Sequence, residues 1–285
     1  MAEPLIVEFP LRGEWRVMQP PGHPAYAFDL LAVKGERQDY VSTGYLPWVF
    51  GMQGVEEWYG WGQPIHAPFD GLVVQVHDGV PDRTPINLLK DMLLTIPPIT
   101  LFAPRGARAD LSPFAGNYAL LQAGSVYALL AHFRLHSPNV RPGQTVKAGQ
   151  QLAEVGVQAI RSCRTCTSKV SDGPNLFTAH PIPFRVSRFD RWTKPVWKSM
   201  RAETIAVGDI VRVSDGRAKG TSLLPCAGGR QQGLQLENFG EPPSRGRCRG
   251  SVMLATMWRF CSFLLSTMIP RYLIASGLVF HLLRI

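Results

Sequence analysis

The stretch A-H-F-R-L-H-S-P-N-V-R-P-G-Q-T-V-K-A-G-Q-Q-L-A-E-V-G, residues 131–156, decides how this chain folds. It continues the apolar run Tyr127-Ala128-Leu129-Leu130 and so sets His132 at the end of a strand. Pro142-Gly143-Gln144 and Ala148-Gly149-Gln150 read as turns, because Pro presets φ and Gly accepts the conformations that tight turns need. Val140, Val146 and Leu152–Val155 add short strands at regular spacing, which points to an antiparallel sandwich or barrel. A stiff β scaffold of this kind can present a histidine as a chemical group.

The neighbouring segments agree. Asn117–Gln122 and Val126–Leu130 read as a hairpin around Ala123-Gly124. Asp70-Gly71 is a turn that opens a strand at Leu72–Val76, and segments 4–9 and 14–19 read as short strands. Between Leu72–Val76 and Asn117, residues 79–115 are Pro-rich, with a short helical patch at 86–94, and read as an insertion at the rim of the fold. Strand character resumes over 184–213. The expected class is mainly β: an antiparallel β-sandwich or barrel-sandwich hybrid with little helix.

Composition fits that class. Of 285 residues, 45% are apolar and 18% charged, as in a globular chain of one or two domains. The 27 Gly and 24 Pro favour turn-rich β structure over helix bundles. The net charge of +9 is unevenly placed, for residues 216–285 hold nine Lys/Arg and two Asp/Glu. That leaves 21 basic and 19 acidic residues in 1–215, or +2, so nucleic-acid binding is not expected of the body. Five cysteines, none before Cys163, exclude a disulfide scaffold for the body.

Three regions are expected: a β domain over 1–215, a disordered basic linker over 216–250, and a hydrophobic tail over 251–285. Within the tail, 252–269 is an apolar run interrupted by Arg259. As a helix it reaches ~27 Å, slightly short of a hydrocarbon core of ~30 Å. A membrane segment, an interfacial or buried helix, and spurious sequence are its three readings. The start, M-A-E-P-L-I-V-E-F-P-L-R, lacks a basic segment followed by an apolar one, so no signal peptide is expected.

Four ordered blocks carry more specific information. They are His23…Asp29 in G-H-P-A-Y-A-F-D-L, then G-Q-P-I-H-A-P-F-D-G-L-V-V (62–74), then G-N-Y-A-L-L…Y-A-L-L-A-H-F (116–133), and V-R-P-G-Q-T-V-K-A-G-Q-Q-L-A-E-V-G (140–156). Together they resemble the lysostaphin-type zinc metallopeptidases, the glycyl-glycine and peptidoglycan endopeptidases, over roughly residues 13–190. The resemblance implies one Zn2+ with His23 and Asp29 as ligands, and His132 as a catalytic histidine that orients water or stabilises the oxyanion. It implies a peptide or peptidoglycan substrate and a place in the cell envelope or outside the cell. The aromatic segment W-V-F-G-M-Q-G-V-E-E-W-Y-G-W (48–61) is expected to wall the groove with Trp58, Tyr59 and Trp61, or else to pack on the barrel.

One block departs from the family. Where the resemblance calls for an Asn-Ser-Gly-rich turn and His-x-His, the chain reads V-Q-A-I-R-S-C-R-T-C-T-S-K-V (157–170), with no histidine. The third zinc ligand and a second catalytic histidine are missing. The hypothesis offered is a local frame lesion. Arg164-Thr165-Cys166-Thr167-Ser168 can be encoded cgc acc tgc act tca, and two bases later this reads cac ctg cac ttc, His-Leu-His-Phe. The nucleotide sequence decides it, since other codons there would not yield that tetrapeptide.

Competing readings are weaker. Cys163 and Cys166 form a lone CxxC, which without a second pair specifies neither redox nor metal chemistry. His180 could supply the lost ligand only if its loop reached the site, while His66 and His136 read as rim residues and His77 as a strand end. The 140–156 block also looks like the flank of a biotinyl or lipoyl carrier domain, but the 116–133 hairpin offers no lysine to modify. The closest rival to an active peptidase is a catalytically impaired member that binds its target without cleaving it.

Overall fold

A computed structural model of the chain describes residues 5–19, 23, 25–36, 38–43, 47, 53–85, 111–157, 165–175 and 178–214, and at 113, 114 and 165–167 the backbone alone. All of these belong to the first of two units into which the chain divides, Met1–Leu223. The helical patch expected at 86–94, the linker at 216–250 and the tail at 251–285 lie outside the described residues. No helix among the described residues is long and apolar enough to cross a membrane.

The mainly β expectation holds. The strands are β1 (Leu5–Val7), β2 (Gly13–Met18), β3 (Ala27–Ala32), β4 (Pro64–His66), β5 (Gly71–His77), β6 (Tyr118–Ala123), β7 (Val126–Ala131), β8 (Thr145–Val146), β9 (Gln151–Glu154), β10 (Thr165–Ser171), β11 (Phe184–Trp192), β12 (Trp197–Glu203) and β13 (Ile210–Val213). A helix, α1, forms the single turn Ser112–Ala115. The large sheet runs β1-β11-β13-β2-β3-β10-β7-β6-β5-β8, with β12 paired to β11 outside that path, and β4 and β9 form a second sheet. All pairings are antiparallel except β1 with β11.

The apolar run that ends at His132 is continuous because both faces of β7 are covered. Ala128 and Leu130 join the main core, which also takes Ile65, Leu152 and Ala153 from the small sheet. Leu129 and Ala131 face the other way, into a second cluster with Leu111, Ala115, Tyr118 and Leu120. Neighbouring β6 divides identically, with Ala119 and Leu121 in the first cluster and Tyr118 and Leu120 in the second. A half-exposed strand would alternate apolar and polar residues. These two do not, and the reason is burial on both sides.

The two glycine turns are one device used twice. In each, a Gly at the third turn position has positive φ, +87° at Gly143 and +77° at Gly149. The following Gln closes the turn, Gln144 N–H to the Arg141 carbonyl (3.1 Å) and Gln150 N–H to the Lys147 carbonyl (2.9 Å). Its side-chain oxygen then accepts from the N–H that opened the turn, at 3.1 Å in both cases. The glycine N–H groups bond outward to Val73 and Ala67, both at 2.8 Å, tying the stretch to β5 and to the segment after β4. Residues 141–146 and 147–152 are thus a repeated six-residue clasp, each ending in a fully buried side chain, Val146 and Leu152.

The Asp70-Gly71 turn is fixed by the second clasp. The Asp70 carboxylate accepts from the Ala148 N–H (2.8 Å) and pairs with Lys147 Nζ (3.0 Å). A Cβ on Gly71 would lie 2.6 Å from the Gln122 carbonyl oxygen, so close backbone approach, not conformational freedom, demands glycine there. Of the two readings of the 48–61 segment, packing on the barrel is what Trp58 and Tyr59 do. Trp58 is buried, Tyr59 packs on the main cluster, and Trp61 lies half-exposed against the Arg134 guanidinium.

Candidate functional site

The second apolar face carries the candidate site, and strand register builds it. Reading straight across the sheet, His77 of β5 pairs with Tyr118 of β6, and Tyr118 with Ala131 of β7. Ala131 pairs with position 167 of β10, 167 with Asp29 of β3, and Asp29 with Met18 of β2. Directly opposed residues share a face. Five strands therefore bring His77, Tyr118, Ala131, 167 and Asp29 into one row.

Asp29 is 2% exposed. His23, from the segment before β3, places its Nε2 3.3 Å from Asp29 Oδ1. Two tetrahedral zinc ligands at ~2.0–2.1 Å from the metal stand ~3.3 Å apart, so this pair fits two corners of such a site. The same separation also serves a plain His–Asp ion pair. A third corner is absent: among the described residues no group of three His, Cys, Asp or Glu could hold a metal. Position 167, between Asp29 and the strand that ends in His132, is threonine. The described residues do not fit a three-ligand zinc centre.

His132 follows Ala131 at the end of β7 and is 4% exposed. Its φ is +64°, a left-handed conformation uncommon for a side chain with a Cβ. Neighbours over-determine it: its N–H donates to the Ala115 carbonyl (2.9 Å) and its carbonyl accepts from the Gly156 N–H (2.8 Å). A Cβ on Gly156 would come within 2.5 Å of the Arg134 backbone, so glycine there lets the two segments close up. Strain held by such surroundings is common at functional positions. The strand spacing puts the backbones of 131 and 29 about 10 Å apart, with β10 between them.

Two residues given no role above support this strand end. Asn117 is fully buried. Its amide nitrogen donates to the carbonyls of Val80 (2.9 Å) and Phe133 (3.3 Å), and its oxygen accepts from the Val80 N–H (2.8 Å). Asp82 accepts from the N–H groups of Leu135 (3.0 Å) and Val157 (2.6 Å). The start of the 79–115 segment is therefore fastened across the strand ends. Asn117 stood in a quoted motif, so its position was visible. Asp82, in a Pro-rich stretch, gave no signal.

One row further along the same face, Lys169 pairs with Leu129 and Ala27 and is 1% exposed. Burial pushes its ammonium below the usual lysine range, against the opposing pull of Asp172. His77 stacks on Tyr118 with ring centroids 5.6 Å apart, and Tyr118 Oη accepts from Gln75 Nε2 (2.7 Å). His66 is near the Pro10 carbonyl (3.2 Å), while His136 and His180 sit beside Asp78 and Asp172 on the surface. His180 cannot reach the row. It bonds to Asp172, five residues along β10 from position 167, about 16 Å at strand rise. Cys163 lies outside the described residues.

No family model matches the chain, and no curated protein matches it. Among solved structures, it is similar to a putative peptidase M23 from Pseudomonas aeruginosa, at 17% identity and TM-score 0.31 over 59% of this chain and 47% of that one. It is similar to a zinc-containing peptidase from Vibrio cholerae, at 15% and 0.30 over 63% and 37%. A third is the catalytic domain of the antimicrobial peptidase lysostaphin from Staphylococcus simulans, at 14% and 0.32 over 61% and 86%. The chain spans less than half the length of the first two. At such identities and TM-scores the likeness says nothing of the chemistry at this site.

Proposed function

We propose that this chain is built on the plan of a lysostaphin-type peptidase directed at peptide bonds of peptidoglycan cross-bridges, and that as written it binds its target and hydrolyses little. The four sequence blocks support the plan. The observation that carries the reading is the register of β10, in which 165 and 167 alternate onto the Asp29 face and 167 lies between Asp29 and Ala131. A His-x-His at 165–167 would put two imidazoles beside the His23–Asp29 pair and next to the strand of His132. The chain has threonine at both positions.

In this reading His23 and Asp29 are the surviving metal ligands. His132 is the surviving catalytic histidine, able to donate to charge developing on a substrate carbonyl. Tyr118 and His77 extend the floor on which a peptide would lie. With two ligands, zinc is under-coordinated and is held weakly, because structural and catalytic zinc sites use at least three protein ligands.

The test is the double variant Thr165→His/Thr167→His beside the parent. Zinc affinity is expected to rise at least about 100-fold, since even outer-shell partners are worth ~10–100-fold. Release of soluble fragments from peptidoglycan, or cleavage of oligoglycine, should rise with it. A parent chain that already carries one tight zinc and cleaves well would overturn the impaired reading. A double variant that binds zinc tightly and cleaves neither substrate would overturn the peptidase plan.

A further inference from the structure

Trp61, Arg134 and Glu154 form a cluster that the site above leaves without a role. Arg134 follows His132 by two residues, so their backbones are at most about 7 Å apart. Its guanidinium lies 5.2 Å from the centroid of the Trp61 ring, and its Nη1 donates to Glu154 Oε2 at 2.8 Å. Arg134 is exposed, and Trp61 and Glu154 are half-buried. Unlike Tyr59, Trp61 is not one of the apolar residues that pack on the main core. Among the described residues its indole N–H makes no hydrogen bond, which leaves a donor for a ligand.

The frame beneath this cluster is stiff. Arg134 N–H donates to the Glu154 carbonyl (2.8 Å), Gly62 N–H to the Val155 carbonyl (2.9 Å), and Val155 N–H to the Gln63 carbonyl (2.8 Å). Ser137 Oγ donates to the Arg134 carbonyl (2.7 Å) and accepts from the Glu154 N–H (3.1 Å). Three segments distant in sequence are laced together beside the end of β7. Little ordering is left for a ligand to impose.

The chemistry narrows what fits. Arg134 and Glu154 cancel in charge. An anion would meet the Glu154 carboxylate, and a cation the Arg134 guanidinium. An uncharged ligand with both donors and acceptors suits the pair. The indole, apolar on its face and polar at its N–H, suits a ligand that is itself flat and apolar on one face and polar at its rim. A pyranose ring has that form, with C–H bonds on its face and hydroxyls around its edge. A glycine-rich peptide has the polar groups without the face.

We propose that Trp61, Arg134 and Glu154 form a saccharide subsite, which takes one pyranose ring of the glycan that carries the target peptide. The ring rests on the exposed part of the indole. Arg134 donates to its oxygens, and Glu154 accepts from its hydroxyls or amide. A sugar held here and a peptide bond held at His132 belong to one branched molecule, so the subsite would select peptides still attached to their glycan. The saccharide chemistry stands on the cluster itself, while the choice of a wall glycan rests on the peptidase reading above.

The experiment is titration calorimetry on the full parent chain with three soluble ligands: a disaccharide-peptide cut from peptidoglycan, the same peptide freed of its sugar, and cellobiose. The disaccharide-peptide should bind about 10-fold more tightly than the bare peptide, the upper size of one aromatic contact. Trp61→Ala should remove most of that gap and leave affinity for the bare peptide unchanged. Arg134→Lys, which keeps the charge and loses the planar fork, should narrow the gap in part. Melting temperatures check that the variants fold, and Trp61→Phe carries the comparison if Trp61→Ala does not. Equal affinity of the parent for the two wall ligands overturns the proposal, and so does no detectable binding of the disaccharide-peptide. A gap that survives Trp61→Ala overturns it as well. So does an equal loss for both ligands, which would make Trp61 a peptide contact. Cellobiose bound as tightly as the disaccharide-peptide overturns the assignment to a wall glycan. Failure of the peptidase reading shows separately, in the zinc and cleavage assays of Thr165→His/Thr167→His.

Discussion

His132 separates what the backbone needs from what the chemistry needs. At φ +64° a residue with a Cβ is strained by about 1–2 kcal/mol relative to glycine. The Ala115 carbonyl and the Gly156 N–H hold that conformation whatever the side chain is. His132→Gly should therefore be more stable than His132→Ala by about 1 kcal/mol in urea unfolding. Both should lack whatever hydrolysis Thr165→His/Thr167→His confers. Equal stability of the two would mean that the left-handed conformation does not persist in solution. The sequence showed that a histidine ends this strand, because an apolar run stops there. It could not show the left-handed turn, which follows from hydrogen bonds to residues 17 positions upstream and 24 downstream.

At the scale of elements, glycine has two distinct jobs. Gly143 has open space around a would-be Cβ, so Gly143→Ala meets only the cost of positive φ, about 1–2 kcal/mol. Gly71 has no such φ but faces the Gln122 carbonyl, so Gly71→Ala should cost about 1–3 kcal/mol by overpacking. Denaturant melts of both variants check this. A crystal structure of Gly71→Ala should show β5 moved from β6, whereas Gly143→Ala should leave the sheet unmoved. Turns and strands were legible here because Gly-Gln and Asp-Gly sit between short apolar runs. Where a strand was bounded from the sequence, its ends lay within two residues, as at 126–130 against Val126–Ala131. The insertion of β13 between β11 and β2 was not, since pairing between distant segments leaves no local pattern.

For the whole molecule, two carboxylates make stability depend on acid. Asp70 is held below the usual carboxylate range by the Ala148 N–H and then by Lys147, and Asp190 by the Ser199 hydroxyl and then by Arg212. Both contribute fully above about pH 4, the ordinary range of the unfolded group. That contribution is lost as pH falls through their depressed folded values. Asp70→Asn/Asp190→Asn should be less stable than the parent at pH 7, and the gap should close toward pH 2 in thermal melts. A gap that persists at pH 2 would assign the loss to packing. The candidate site was half legible at this scale. His23, Asp29 and His132 stand in quotable motifs, while the row joining β5, β6, β7, β10 and β3 exists only once the sheet forms. That row has a consequence of parity. Along β10, odd positions belong to the Asp29 side and even positions to the main core, where Val170 is buried. The strand keeps its count from Val170, downstream of positions 165 and 167, and not from the segment before it. Lengthening or shortening 158–164 would leave every odd position where it is. Removing one residue from within 165–169 would exchange the two sides, so a variant meant to add side chains to the Asp29 side must preserve the strand's length and change only its letters.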